Sequence, residues 1–184
     1  MTALKLHFQT HGADSHPPLV LLHGFMGSLK DWDKTIECLS QSFFCIVVDL
    51  PWHGKSPALL AGKDAFEQTA ELLKKCVRGL QFRKSAVLGY SMGGRIAMYA
   101  ATRYPDVFDK LLVESASPGV EGIIDIKAQQ KKERTIIDRL NGVEFDYFLK
   151  AWYEQPLFES LAKHPRFQEL KNSRLNNMPE RLAK

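Results

Sequence analysis

Leu4, Leu6 and Phe8 alternate with polar neighbours, the period of a strand with one buried face. Beyond them the alternation gives way to unbroken apolar runs. Residues 19–22 and 43–50 are rich in β-formers, as parallel strands covered on both faces are, and residues 86–88 and 111–113 continue the series. Helical spacing fills the intervals. Residues 31–39 form a short helical stretch. Over 66–80 the apolar Phe66, Ala70, Leu73, Val77 and Leu80 recur on one helical face, and 91–104 reads as a helix stopped by Pro105. Alternating strands and helices predict an α/β fold, a doubly wound and mostly parallel sheet with right-handed crossovers. Ligands in such sheets bind beyond the carboxyl ends of the strands. After Val113-Glu114 the alternation stops. Residues 122–140, 144–153 and 167–176 look helical with no strand between them. The expected organisation is an α/β core over 1–119 and a helical insertion over 120–184, placed as a lid.

Composition narrows the function classes. At 184 residues and 45% hydrophobic, the chain has material for one good core. No apolar run is long enough to cross a membrane, and Met1-Thr2-Ala3-Leu4-Lys5 lacks the apolar stretch of a secretory leader. Cys38, Cys45 and Cys76 are odd in number and show no CxxC spacing, which fits reduced thiols, a cytoplasmic location and no metal site. The net charge of +4 comes wholly from residues 127–184, with 12 Lys and Arg against 8 Asp and Glu. Solvated helix faces account for most of these lysines. No basic run is interleaved with aromatics, so nucleic acid is not an expected partner. A small anionic substrate stays open.

The chemistry concentrates in Gly89-Tyr90-Ser91-Met92-Gly93, a G-x-S-x-G between the apolar Ala86-Val87-Leu88 and a helical pattern. That strand–turn–helix setting marks a nucleophile elbow. The turn tolerates only small residues two positions either side of the serine, and it lifts the hydroxyl above the sheet end. The bland alternative is a plain turn. Upstream, Pro18-Leu19-Val20-Leu21-Leu22 reads as a buried strand running into His23-Gly24-Phe25-Met26-Gly27. His23, at the strand end, reads as a histidine that fixes the loop rather than as a general base.

With these motifs the chain resembles the α/β-hydrolase superfamily. Within it, the chain is similar to the 2-succinyl-6-hydroxy-2,4-cyclohexadiene-1-carboxylate synthases, lyases of menaquinone biosynthesis. The resemblance rests on Asp49-Leu50-Pro51-Trp52-His53-Gly54-Lys55-Ser56, on Tyr90 and Arg95 flanking the elbow, and on Val113-Glu114 with Pro118-Gly119. It rests most on Trp152-Tyr153-Glu154-Gln155-Pro156-Leu157-Phe158 with Arg174-Leu175-Asn176-Asn177. The family more often has glycine where Trp52 stands.

The resemblance implies an oxyanion hole from the amides of Phe25 and Met92, with Ser91 working in a Ser-His-Asp triad that takes a proton and eliminates pyruvate. It implies no cofactor. Arg95, one helical turn after Ser91, and Arg174 on the lid are the implied holders of substrate carboxylates. Tyr90 and Trp152 line the pocket; core aromatics would look the same. A further family arginine falls on Gln129, and Arg134, Lys131 or Lys132 stand near enough to replace it. Surface ion pairs are the plainer reading of each arginine. Related chains bring the acid and histidine on two strands beyond the lid. None of His7, His11, His16, His23, His53 and His164 has that setting. The expectation is a fragment of a longer enzyme, inactive by itself. A carboxylesterase or carbon–carbon hydrolase, and a non-catalytic ligand-binding module, stay open beside the lyase. Oligomeric state is not fixed by the sequence.

Overall fold

The computed structural model describes residues 4–59 and 64–183; the opening Met1-Thr2-Ala3, read above for a leader, lies outside them. The elements run β1 (Phe8–His11), β2 (Pro18–Leu22), a 3-10 turn (Leu29–Trp32), α1 (Asp33–Leu39), β3 (Phe44–Val48), α2 (Ala65–Gly79), β4 (Ser85–Tyr90), α3 (Met92–Arg103) and β5 (Phe108–Glu114). Helices alone follow: α4 (Ile123–Gly142), α5 (Phe145–Tyr153), a 3-10 turn (Pro156–Phe158), α6 (Glu159–Ala162), α7 (Phe167–Arg174) and α8 (Pro179–Leu182). The chain forms two compact units, Met1–Pro118 and Gly119–Lys184.

In the first unit five strands make one sheet in the order β1-β3-β2-β4-β5. β1 runs antiparallel to β3, and the other pairings are parallel. The runs in β2 and β3 are apolar throughout because both faces are covered. Val20, Leu22, Ile46 and Val48 enter the core shared with α2 and α3, while Leu19, Leu21, Cys45 and Val47 enter a second core with Trp32 and Ile36. Period-2 alternation therefore sorts one apolar run onto two faces.

Two expectations need correction. The first strand begins at Phe8 rather than at Leu4, so Leu6 is buried ahead of the strand and not as part of its alternation. The strand around residues 111–113 is not covered on both faces. Leu111, Leu112 and Val113 are 43%, 48% and 39% exposed, and among the described residues β5 pairs only with β4.

The second unit is helical, with Leu140, Phe148, Leu149, Tyr153 and Leu182 buried. Its aromatics form a continuous row. Phe145 stacks on Phe148, Phe148 on Trp152, and Phe158 and Phe167 close on Tyr153. Among the described residues no helix is long and apolar enough to cross a membrane.

Candidate active site

The exits of the four parallel strands share a conformational signature. Met26 follows β2, Trp52 follows β3, Ser91 follows β4 and Ser115 follows β5, and all four are non-glycine residues at φ between 52° and 63°. L-residues avoid this region because Cβ crowds the following carbonyl. Four instances at one edge of one sheet mark that edge as a site whose surroundings over-determine its geometry.

Ser91 is the sharpest of them, at φ 52° and ψ −118° between β4 and α3. Its N–H donates to the Glu114 carbonyl at 2.9 Å, fastening the elbow to the end of β5. Its own carbonyl accepts from the N–H groups of Gly94 (2.9 Å) and Arg95 (3.2 Å), which starts α3. The flanking glycines make the turn possible. A Cβ on Gly89 would overlap the Gly93 carbonyl, and one on Gly93 would overlap the carbonyl of Leu22. Helix and strand thus meet backbone to backbone on either side of Ser91.

The loop after β2 passes beside this serine. A Cβ on Gly24 would stand 3.4 Å from Ser91 Cβ and 3.0 Å from the Tyr90 ring. The loop turns back on itself through Gly27 N–H to Gly24 O at 3.0 Å, with Phe25 inside the turn. Met92 opens α3, so its N–H has no acceptor within the helix. These are the two amides expected to form an oxyanion hole.

Two buried histidines hold the loops. The Leu50 N–H donates to His23 Nε2 at 3.0 Å, and the Met26 N–H donates to His53 Nε2 at 3.2 Å. A nitrogen that accepts from a backbone amide carries no proton. The other nitrogen of each neutral ring must therefore be the donor, His23 Nδ1 to Gly24 O and His53 Nδ1 to Pro51 O, both at 2.8 Å. Both nitrogens of both rings are thereby engaged in holding backbone, as the sequence position of His23 implied. Asp49, 2% exposed, completes the scaffold. Its carboxylate accepts from Leu29 N–H and Lys55 N–H and meets His7 Nδ1 at 2.9 Å. In the sequence Asp49 stands only as a member of a motif, and His53 as a motif member and one of the histidines without the triad setting. Their roles depend on which loops meet, which spacing does not show.

The remaining residues fall in different settings. Tyr90 is 39% exposed beside Gly24. Arg95 is exposed on α3, and its guanidinium lies 5.9 Å from the centre of the Phe66 ring on α2. Below it, Glu67 accepts from Tyr104 Oη (2.8 Å), Tyr99 Oη (2.9 Å) and Arg103 Nε (3.0 Å). Those bonds, Tyr104 foremost, hold its carboxyl below the usual range.

Within the second unit, Arg134 and Gln129 lie on α4, where Arg134 is exposed and Gln129 Nε2 donates to Glu133 at 3.0 Å. Trp152 packs between Phe148 and Phe158. Arg174 is 8% exposed, with Nε donating to Tyr153 Oη at 3.4 Å. Trp152 and Arg174 thus both take part in the packing of their own unit. Among the described residues no group of three His, Cys, Asp or Glu is placed to hold a metal.

Residues 17–136 match the family described as alpha/beta hydrolase fold. The chain is 34% identical over 179 residues to the 2-succinyl-6-hydroxy-2,4-cyclohexadiene-1-carboxylate synthase of Escherichia coli, covering 97% of this chain and 69% of that protein. It is equally similar, 34% over 183 residues, to the chloroplastic protein PHYLLO of Arabidopsis thaliana, covering 94% of this chain but only 10% of that much longer one. The solved structure of MenH from S. aureus superposes with a TM-score of 0.88 at 26% identity, covering all of this chain and 69% of that one. The chain belongs to the α/β-hydrolase family, in the branch that contains the 2-succinyl-6-hydroxy-2,4-cyclohexadiene-1-carboxylate synthases.

Proposed function

We propose that this protein is a lyase of menaquinone biosynthesis. It removes a proton from a polycarboxylate precursor, and the electron pair left behind expels pyruvate to give 2-succinyl-6-hydroxy-2,4-cyclohexadiene-1-carboxylate. The observation that carries this reading is Ser91 held at an elbow, in a chain that follows such a synthase over 97% of its length. Ser91 accepts the proton through a general base, because a neutral serine is a poor acceptor by itself. The base is neither His23 nor His53, whose ring nitrogens are committed to backbone. Charge developing on the substrate oxygen during elimination is met by the amides of Phe25 and Met92, fixed dipoles that need no reorganisation. Arg95, one turn from Ser91, takes a substrate carboxylate.

Kinetics with two substrates test the reading. In a protein that also carries the histidine and acid implied by the resemblance, pyruvate release from the anionic precursor, followed with lactate dehydrogenase and NADH, is expected to vanish in Ser91→Ala. Arg95→Ala is expected to lower kcat/KM for that precursor about ten- to a hundredfold, the loss of one charge-assisted contact. Hydrolysis of a neutral p-nitrophenyl ester should be unchanged by the same substitution. Ester turnover with no pyruvate release would favour a carboxylesterase or carbon–carbon hydrolase. Binding of the precursor with no turnover of either substrate would favour a non-catalytic ligand-binding module.

A further inference from the structure

Arg95 is a long, exposed side chain asked to present a planar cation in one place. A side chain of this length has many rotamers, and each places the charge differently. The structure supplies a restraint from the neighbouring helix. Phe66, the second residue of α2, lies with its ring centre 5.9 Å from the Arg95 guanidinium carbon. The ring is itself fixed. Phe66 packs against the core on one side and meets the Tyr99 ring at 5.6 Å between centroids, tilted 52°. Tyr99 is anchored by its hydroxyl, which donates to Glu67 Oε2 at 2.9 Å. Glu67 is in turn held by Tyr104 and Arg103. The first turn of α2 is closed by Asp64, whose carboxylate accepts the Glu67 N–H at 2.7 Å. A rigid chain of contacts therefore runs from two helices to one aromatic face, and Arg95 lies over that face.

We infer that Phe66 is a positioning residue for Arg95, a shelf that holds the guanidinium where it receives a substrate carboxylate. The inference rests on the reading of Arg95 given above. A cation over an aromatic face at an exposed site shifts populations about two- to fivefold. That is the effect expected, and it should fall on binding rather than on the chemical step.

Four variants and two readouts test it, in a protein that also carries the histidine and acid implied by the resemblance. In Phe66→Leu, which keeps an apolar side chain against the core, KM for the anionic precursor should rise about two- to fivefold with kcat unchanged. Phe66→Tyr, which keeps the ring, should restore the wild-type KM. In Arg95→Gln, adding Phe66→Leu should cause no further loss. Independently of any ligand, the Arg95 Nε–H proton resonance should lie upfield in the wild type and in Phe66→Tyr, and move downfield in Phe66→Leu. If Phe66→Leu and Phe66→Tyr raise KM alike, or the resonance does not move, Phe66 is packing only and the inference is overturned. If the resonance moves as expected but Arg95→Gln leaves KM unaltered, the shelf stands and it is the carboxylate role of Arg95 that fails.

Discussion

The backbone at Ser91 costs an L-residue roughly 1–2 kcal/mol, and the surrounding fold bears that cost. Ser91→Gly should relieve it, less about 0.5–1 kcal/mol for the added freedom of glycine in the unfolded chain. The protein should gain about 0.5–1 kcal/mol and melt about 1–4 °C higher, while losing activity. Calorimetry on the two proteins decides this, and an unchanged or lower Tm would show that the elbow stores no strain. His53 predicts the opposite sign. His53→Ala would strand the Met26 N–H and the Pro51 carbonyl, at about 1–3 kcal/mol; a denaturant midpoint unaltered by the substitution would refute the tautomer assignment. Residues at this scale differed in how far sequence revealed them. Gly89, Ser91 and Gly93 were legible because the turn admits few alternatives. Trp52, at φ 63°, holds its turn as a non-glycine residue at the expense of strain. The burial of Arg174 against Tyr153 was not legible, since a lone arginine on a helix reads the same whether it faces solvent or a phenol.

Between elements, Glu67 ties α2 to α3 and its C-cap residue Tyr104 through three donors. Its carboxyl is lowered, first by Tyr104, then by Tyr99. A lowered folded value means that the stabilisation is fully present above the ordinary glutamate range and is lost as pH falls through the lowered value. The Tm difference between wild type and Glu67→Gln should therefore shrink as pH drops from about 7 to about 3. A difference that stays constant would mean the carboxylate charge contributes nothing. Tyr104 is raised, by burial first and then by its bond to Glu67. The same pair thus loosens again in alkali, as pH climbs through the tyrosine value. In α2 the Cys76 thiol is pushed up to about 12 by burial, so exposed Cys38 should be alkylated far ahead of it. The long helices were readable from hydrophobic period to within a residue or two, whereas β5, read over 111–113, starts three residues earlier at Phe108. The short ones, α6, α8 and the 3-10 turn at Pro156–Phe158, were not, because three or four residues do not complete a period.

Over the whole molecule, stability is unevenly distributed. The side chains of β2 and β3 are almost wholly buried, whereas the second unit buries only a few. Amide exchange should be slowest at residues 19–22 and 45–48, and faster throughout 119–183. Equal protection in both units would contradict that ranking. The alternation of strand and helix announced the parallel sheet, but it did not show that β5 would present Leu111, Leu112 and Val113 outward, because a run of apolar residues looks identical at a sheet centre and at its margin. That margin has a consequence in solution. Among the described residues no strand lies on the outer side of β5, and such an edge beside aliphatic side chains is a template for another strand, so chains at high concentration should compete for one another's β5. Self-association, growing with concentration and measurable by light scattering, should limit the yield of soluble protein. Leu112→Lys, a charge placed on that row, should raise the ceiling without altering the helical circular dichroism.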